Sequence, residues 1–128
     1  MMATIGARLE AIAPGECVIA MPRAESLLQQ HGFAHGGAIG MIADSACGYA
    51  ALSLMPAGSG VLTVEYKINF IAPAAGERFI ATGNVLRSGR QLTVSQATVE
   101  SLNGGERRVI AHMTSTLMTI AGRSDVVD

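Results

Sequence analysis

Two features of residues 29–55, QQHGFAHGGAIGMIADSACGYAALSLM, could do chemistry: the run His35-Gly36-Gly37 and the carboxylate of Asp44. The start of a helix leaves several backbone N–H groups unpaired and carries a partial positive charge. Glycines there let a ligand approach the backbone closely, so such a site can polarise a carbonyl group and stabilise an oxyanion. The alternative is a glycine loop before a helix, with His35 as a capping or packing residue.

Asp44 is the single acid in an almost wholly apolar stretch. If the stretch is helical, the residues one turn away are all uncharged: Gly40, Met41, Cys47 and Gly48. A carboxylate buried there without a partner is suited to act as a general base or a nucleophile. The alternative is that Asp44 lies at a wet edge of the helix or bonds to backbone.

The spacing of Gly36 and Asp44 restricts how they could cooperate. Along one helix their separation corresponds to a rise of about 12 Å, which is too far for both to touch one carbonyl group. If they share a substrate, Asp44 must come from a second subunit whose helix runs antiparallel across a two-fold axis. The sequence therefore predicts a homodimer, or a dimer of dimers, with equal sites.

The composition of the whole chain agrees with an oligomer. Its 128 residues suggest one domain over residues 1–128, and charged residues make up only 15% of them, against a usual share of roughly 25%. The net charge of −1 gives no reason to expect a nucleic-acid partner or an anionic membrane surface. We expect Cys17 and Cys47 to be buried free thiols.

Neither a membrane span nor a signal peptide is expected. Residues 37–55 are long and apolar enough to suggest a span, but Asp44 near the centre would cost roughly 2.5–3.5 kcal/mol in lipid. Arg8 and Glu10 interrupt the N-terminal segment, which argues against a signal peptide. We therefore predict a cytoplasmic protein.

The elements that must position these residues are one helix and several strands. The run from Gly37 to Leu54 is apolar nearly all round, which predicts a buried helix with a sheet wrapped around it. Residues 61–71 alternate strictly and predict a strand with one apolar face: Leu62, Val64, Tyr66, Ile68 and Phe70. Residues 16–21, 77–87, 90–100 and 106–120 predict the other strands. The expected fold is α+β: an antiparallel sheet, its last four strands a meander, curled around one long central helix.

The motifs together resemble one family. Gln29-x-x-Gly32-x-x-His35-Gly36-Gly37, then Asp44, then LTVEYKINFIAPA (62–74) and VLRSGRQLTV (85–94) are similar to the hotdog-fold acyl-CoA thioesterases. The resemblance is greatest to the PaaI-like branch, close to 4-hydroxybenzoyl-CoA thioesterases. It covers about residues 16–120 and implies a hotdog fold and hydrolysis of an acyl-CoA thioester.

The resemblance also implies roles for the residues at the start of the helix. Asp44 matches the acid that attacks the thioester carbon or activates water to do so. Gly36 matches the residue whose N–H binds the thioester oxygen, and Gly37 beside it is assigned to substrate binding. His35 shapes the turn, and Gln29 matches a polar group that positions the water or the carbonyl.

Further residues are assigned to orienting the water and holding coenzyme A. Thr63 falls near a family Ser or Thr that orients the water. Gly48 lies where some relatives carry a hydroxyl group, so Thr63 or Ser45 would have to supply it. The turn Arg87-Ser88-Gly89-Arg90 lies where the family holds the nucleotide and pantetheine of coenzyme A. The family needs no metal and no cofactor besides the coenzyme A of the substrate.

Two other functions stay open from the sequence. The first is a hotdog module that binds acyl-CoA without chemistry, which the retained Asp44 argues against. The second is a hotdog hydratase or dehydratase, in which an acid typically works with a catalytic His. The spacing of His35 and Asp44 fits the thioesterases better.

Overall fold

A computed structural model describes residues 1–120 and residue 122 of the chain. Two short 3-10 helices, Met2–Ile5 and Glu25–Leu27, accompany one α-helix and six strands. In chain order the main elements are β1 Arg8–Ala13, β2 Glu16–Pro22, α1 Gly36–Leu52, β3 Gly60–Phe70, β4 Arg78–Ser88, β5 Leu92–Asn103 and β6 Glu106–Ile120. The predicted single domain over residues 1–128 also includes residues 121 and 123–128, which lie outside the described residues.

The six strands form one antiparallel sheet in the order β1-β2-β4-β5-β6-β3. The predicted antiparallel sheet around one long helix is confirmed, but the predicted four-strand meander is wrong. The first of its four strands, β3, pairs with the last, β6, and so lies at an edge of the sheet. Local alternation identifies a strand, whereas its neighbour is set by packing between distant segments, which the pattern does not contain.

The helix α1 begins one residue before the predicted start and ends two residues before the predicted end. Alanine is its commonest residue, and alanine has the highest helix propensity. Nine of its 17 residues are buried, as expected for a helix that is apolar nearly all round. The chain leaves the helix through Ser53 and reaches Pro56, which cannot continue it.

The sheet curls around α1, and one-residue register shifts contribute to that curl. Such shifts leave Glu10, Val64, Leu86 and Ile110 as extra residues in their strands. A bulge of this kind bends the strand and increases its twist. Sheet and helix approach each other closely at Gly83 of β4, where a Cβ atom would lie 2.4 Å from the carbonyl oxygen of Ala46.

The core lies between α1 and the concave face of the sheet. Its largest fully buried side chains include Phe79, Ile19, Met21, Ile39, Ile42, Ile110, Met113 and Leu117. Cys17 and Cys47 are buried free thiols, which confirms that prediction. Burial raises the pKa of Cys17 to about 11. Within the described residues we find no helix whose length and hydropathy would let it cross a membrane.

Candidate active site

Strand β3 reaches the helix with different residues on the two sides of a bulge. Thr63 pairs with Leu117 and Glu65 with Thr116, so Val64 between them has no partner. The bulge reverses the alternation, and Thr63 therefore faces α1 before it while Tyr66 and Phe70 face α1 after it. Leu62, the neighbour of Thr63, therefore faces away from α1, and the expectation that it shares the inner face with Tyr66 and Phe70 is wrong.

The bulge brings Thr63 to Asp44. The Thr63 hydroxyl donates a hydrogen bond of 2.7 Å to Oδ1 of Asp44. Asp44 is half-buried in the protomer, so it is neither deeply enclosed nor at an open helix edge. A hydrogen bond from a fixed donor to a carboxylate holds its orientation, and the second oxygen, Oδ2, accepts no hydrogen bond from the described residues.

Ser45, the other candidate for a hydroxyl beside Asp44, does not fill that role. It follows Asp44 about 100° further round the helix. Within residues 1–120 and 122 its hydroxyl makes no hydrogen bond to Asp44. Of the two alternatives left open by the sequence, the structure brings Thr63 to the acid.

The start of α1 separates the roles of its two glycines. His35 caps the helix, and its Nδ1 accepts a hydrogen bond of 2.8 Å from the Gly37 N–H. The carbonyl oxygen of His35 accepts from Ala38 and Ile39. The Gly37 amide is therefore already paired, whereas the Gly36 N–H has no hydrogen-bond partner among the described residues. Because Nδ1 of His35 accepts, its ring proton is on Nε2.

Gly36 and Gln29 line one cavity of about 260 Å³ beside the helix start. The side-chain oxygen of Gln29 accepts a hydrogen bond from the His31 N–H, which leaves its NH₂ group as a donor. The remaining lining is apolar and includes Phe33, Phe70, Ile39 and Ile110. Apolar walls with a few converging polar groups are typical of small-molecule sites.

A larger cavity of about 690 Å³ lies elsewhere, between the N-terminal segment and β2. It contains the ion pair of Glu10 and Arg78, and none of the residues assigned to chemistry or substrate binding lines it. We place the candidate site at the smaller cavity, because polar groups suited to chemistry converge there.

One face of α1 carries Gly36, Gly40 and Asp44 at successive helical turns, and β3 runs alongside it. A Cβ atom on Gly36 would lie 2.9 Å from Cζ of Phe70, and one on Gly40 would lie 3.8 Å from the Tyr66 hydroxyl oxygen. These two aromatic rings lie along the helix between Gly36 and Asp44. Within one protomer the structure therefore does not bring Asp44 to the Gly36 amide.

The turn assigned to coenzyme A is a hairpin between β4 and β5. Arg87, Ser88 and Arg90 are exposed, and the Gly89 N–H donates a hydrogen bond of 2.8 Å to the Leu92 carbonyl. Ser88 is three strands away from Thr63 across the sheet, through Thr93 and Leu117, which is a distance of about 14 Å. In the protomer this turn does not contact Asp44.

The electrostatics around Asp44 affect one buried thiol. The pKa of Cys47 is raised to about 12, first by burial, then by the negative charge of Asp44 and then by Cys17. The Cys47 thiol therefore stays protonated and unreactive near neutral pH. Across the described ranges, no group of three or more His, Cys, Asp or Glu side chains lies together in a way that could hold a metal ion.

Comparisons with known proteins agree with this fold. Residues 31–107 match the model of the Thioesterase superfamily. The crystal structure of a thioesterase family protein from Silicibacter pomeroyi has a TM-score of 0.93 and 51% sequence identity, over 94% of this chain and 89% of that one. PaaI of Escherichia coli, from the phenylacetic acid degradation operon, has a TM-score of 0.83 at 25% identity, over 94% of this chain and 84% of PaaI.

Curated relatives match over part of their length. The medium/long-chain acyl-CoA thioesterase YigI of Escherichia coli K12 is 29% identical over 97 residues, which are 66% of this chain and 61% of YigI. Across three such relatives the match spans between 61% and 68% of their own length. These matches confirm the resemblance drawn from the sequence.

Proposed function

Because the chain belongs to the thioesterase superfamily, we propose that it hydrolyses an acyl-coenzyme A thioester to a free acid and coenzyme A. The observation that carries the proposal is the pair Asp44–Thr63, held at 2.7 Å, on a helix whose start presents the amide of Gly36, which has no partner among the described residues. YigI, which is named for hydrolysis of acyl-CoA, supports coenzyme A as the thiol of the substrate. The acyl group we propose is aromatic or medium-chain.

The proposed chemistry needs only the groups of this chain and water. The Gly36 N–H binds the thioester oxygen and stabilises the negative charge that develops on it. Asp44, oriented by Thr63, takes a proton from the attacking water as a general base. The C–S bond then breaks, and the departing thiolate of coenzyme A takes that proton back, so atoms and charge balance.

Asp44 as a nucleophile is the second route. Its carboxylate would then attack the carbonyl carbon and expel the thiolate, and water would hydrolyse the resulting anhydride. In both routes the carboxylate must lie within reach of the carbonyl held at Gly36. We propose that Gln29, through its NH₂ group in the shared cavity, positions the carbonyl or the water.

The proposed active unit is a homodimer, alone or as half of a dimer of dimers. Gly36 and Asp44 are about 12 Å apart along α1, and Phe70 and Tyr66 lie between them. A two-fold axis that sets two α1 helices antiparallel brings the partner subunit's Asp44 to Gly36, and the reverse at a second site. Exposed Arg87 and Arg90 would hold the phosphates of coenzyme A, because guanidinium groups match phosphate geometry.

The direct test is incubation with a panel of aromatic and aliphatic acyl-CoAs, with free thiol measured over time. We expect release of coenzyme A from at least one aromatic or medium-chain member. Tight binding of an acyl-CoA without any thiol release would show a binding module instead. Hydration of an enoyl-CoA without thiol release would show a hydratase.

A second test examines whether each site is shared between subunits. Gly36→Pro removes the amide hydrogen at the first helical position, where proline is tolerated; Gly36→Ala adds a similar Cβ but keeps the N–H. Mixing subunits that carry Gly36→Pro with subunits that carry Asp44→Asn leaves one intact site in each hybrid dimer. We expect each variant alone to be inactive and an equal mixture to regain about a quarter of wild-type activity. No recovery after subunit exchange would refute shared sites.

A further inference from the structure

We infer that Ser115 is a positioning residue of the proposed site: its hydroxyl fixes the bulge of β3, and the bulge turns Thr63 towards Asp44. The inference rests on the proposed function, because that function uses the pair Thr63–Asp44. It adds a buried residue of β6 that acts on the acid only through the backbone of β3.

The sequence of β3 by itself favours a strand without the bulge. Its apolar residues alternate strictly with polar ones: Leu62, Val64, Tyr66, Ile68 and Phe70. An unbroken strand would place all of these on the helix side, where they would be buried together, and it would turn Thr63 away from α1. The observed strand instead places Thr63 against Asp44 and Leu62 on the opposite face. The bulge therefore needs other interactions that favour it.

Two neighbouring hydroxyls of β6 hold Glu65, the first residue after the bulge. The Thr116 hydroxyl donates to Oε1 of Glu65, its cross-strand partner, and so supports the register of β3 beyond the bulge. The Ser115 hydroxyl donates a hydrogen bond of 3.4 Å to the backbone carbonyl of Glu65. A bulge disrupts the ladder beside it, and a partly buried carbonyl that loses its donor is costly. Ser115 supplies a donor at the carbonyl that follows the extra residue.

A second serine beside Ser115 lacks this contact. Ser95 of β5 is the cross-strand partner of Ser115, and both side chains are 0% exposed. The Ser95 hydroxyl has no hydrogen-bond partner within the part of the chain that the structure describes, so it gives no support to the bulge. The two serines share their residue type, their burial and their face of the sheet, and they differ in the bond to Glu65. Ser95 is therefore a matched control for Ser115.

The contacts that lead from Ser115 to the acid are continuous. Ser115 bonds to the carbonyl of Glu65, Glu65 follows the extra residue Val64, and Thr63 before it donates a hydrogen bond of 2.7 Å to Asp44. Without the first contact, β3 would spend part of its time as an unbroken strand, in which the Thr63 hydroxyl leaves Asp44. The acid would then be misoriented for that part of the time, while the groups that bind the substrate stay in place.

Ser115→Ala tests this role, with Ser95→Ala as its control. We expect Ser115→Ala to lower kcat about three- to tenfold, as for a partly displaced reacting group, with KM nearly unchanged. Ser95→Ala should keep the kcat of the wild type. Each variant deletes one buried hydroxyl from the same face of the sheet, so a general loosening of the core would affect both alike. Release of free thiol from an acyl-CoA that the wild type cleaves measures the two constants.

A double variant tests whether Ser115 acts through Thr63. Once Thr63→Val has removed the donor to Asp44, the orientation of β3 at this point no longer matters to the acid. Adding Ser115→Ala to Thr63→Val should therefore change kcat by less than about twofold, because two changes along one path are not additive. Losses that multiply in the double variant would contradict a path through Thr63.

Hydrogen exchange of β3 tests the contact without thioester cleavage. In Ser115→Ala the amide hydrogens of residues 63–67 should exchange at least about threefold faster than in the wild type, because the strand opens more often at the bulge. In Ser95→Ala their exchange should be unchanged. Equal exchange in the two variants, or an equal loss of kcat, would overturn the inference. If the wild type cleaves no acyl-CoA, the proposed function fails, and hydrogen exchange still decides whether Ser115 fixes the bulge.

Discussion

The two sides of α1 differ in how they meet the sheet. On the side that faces β4, Gly83 lies under the backbone of Ala46 and Cys47 with no room for a Cβ atom. On the side that faces β3, the contacts are made by the tips of side chains: Thr63 on Asp44, Tyr66 near Gly40 and Phe70 on Gly36. The first side is a closed core, and the second is open enough for a half-buried carboxylate.

This difference explains why an acid is tolerated in so apolar a helix. A carboxylate over β4 would be buried without water, at a cost of several kcal/mol. Over the edge strand β3 it keeps part of its solvent and gains a hydroxyl donor. Mutations on the open side should therefore change catalysis with little change in stability, and mutations on the closed side should do the reverse.

The largest effect is expected from Asp44→Asn. The amide keeps the size of the side chain but cannot take a proton from water, and loss of a general base lowers turnover about 10²–10⁴-fold. The midpoint of urea unfolding should stay close to that of the wild type. A fall in kcat of less than tenfold, or a large loss of stability, would contradict the assigned role.

On the closed side, Gly83→Ala should lower the free energy of unfolding by about 3 kcal/mol, because the methyl group would meet the Ala46 carbonyl and force the helix away from β4. Urea denaturation measures the change. Gly48→Ala is the matched control, since its Cβ would be 3.9 Å from Leu117, an ordinary contact. That variant should stabilise the protein by about 0.5–1 kcal/mol through helix propensity. If the two variants changed the free energy of unfolding equally, the close packing of α1 on β4 would not distinguish the two sides of the helix.

Thr63→Val tests whether the Thr63 hydroxyl is needed to orient Asp44 on the open side. The change removes the hydroxyl donor but keeps the shape, so Asp44 loses the hydrogen bond that holds its orientation. We expect kcat to fall about 10- to 100-fold, as for a misplaced reacting group, with KM nearly unchanged, because Thr63 orients the acid and not the substrate. Thr63→Ser retains the donor and should keep most of the activity; if it is as slow as Thr63→Val, the hydroxyl is not what matters.

The smallest effect concerns the Cys47 thiol and pH. Burial and then the charge of Asp44 raise its pKa in the folded state to about 12, whereas the unfolded thiol ionises near the usual value of about 8.5. A raised pKa gives stability that is complete below the unfolded value and declines as pH rises towards the folded value. The wild type should therefore lose stability relative to Cys47→Ala between about pH 9 and pH 11. Parallel pH profiles of the melting temperature would contradict this.

The helix and most strands were predictable because their patterns are local. Residues 37–54 are apolar nearly all round, and residues 61–71 alternate between apolar and polar side chains. β1 was missed because all six of its residues are exposed, so it has no alternation to detect. The pairing of β3 with β6 depends on contacts between segments that are distant in the chain.

The candidate site was predicted in part. The pairing of Thr63 with Asp44 agrees with the role that the resemblance gave to Thr63. That the Gly37 amide is used by the His35 cap, which leaves Gly36 as the available donor, depends on a side-chain rotamer that no spacing encodes. The contact of Tyr66 with the helix depends on the bulge, and a strict alternation of apolar residues conceals the bulge.

The extra residue at Val64 shifts the inward and outward alternation of side chains along β3 by one position. Before Val64 the odd-numbered residues face the helix, and after it the even-numbered residues do. The identity of Val64 can therefore drift, but its deletion would turn Thr63 outwards and Leu62 inwards in a single step. Substitutions along this strand leave the alternation unchanged, whereas an insertion or a deletion next to Val64 would separate Thr63 from Asp44.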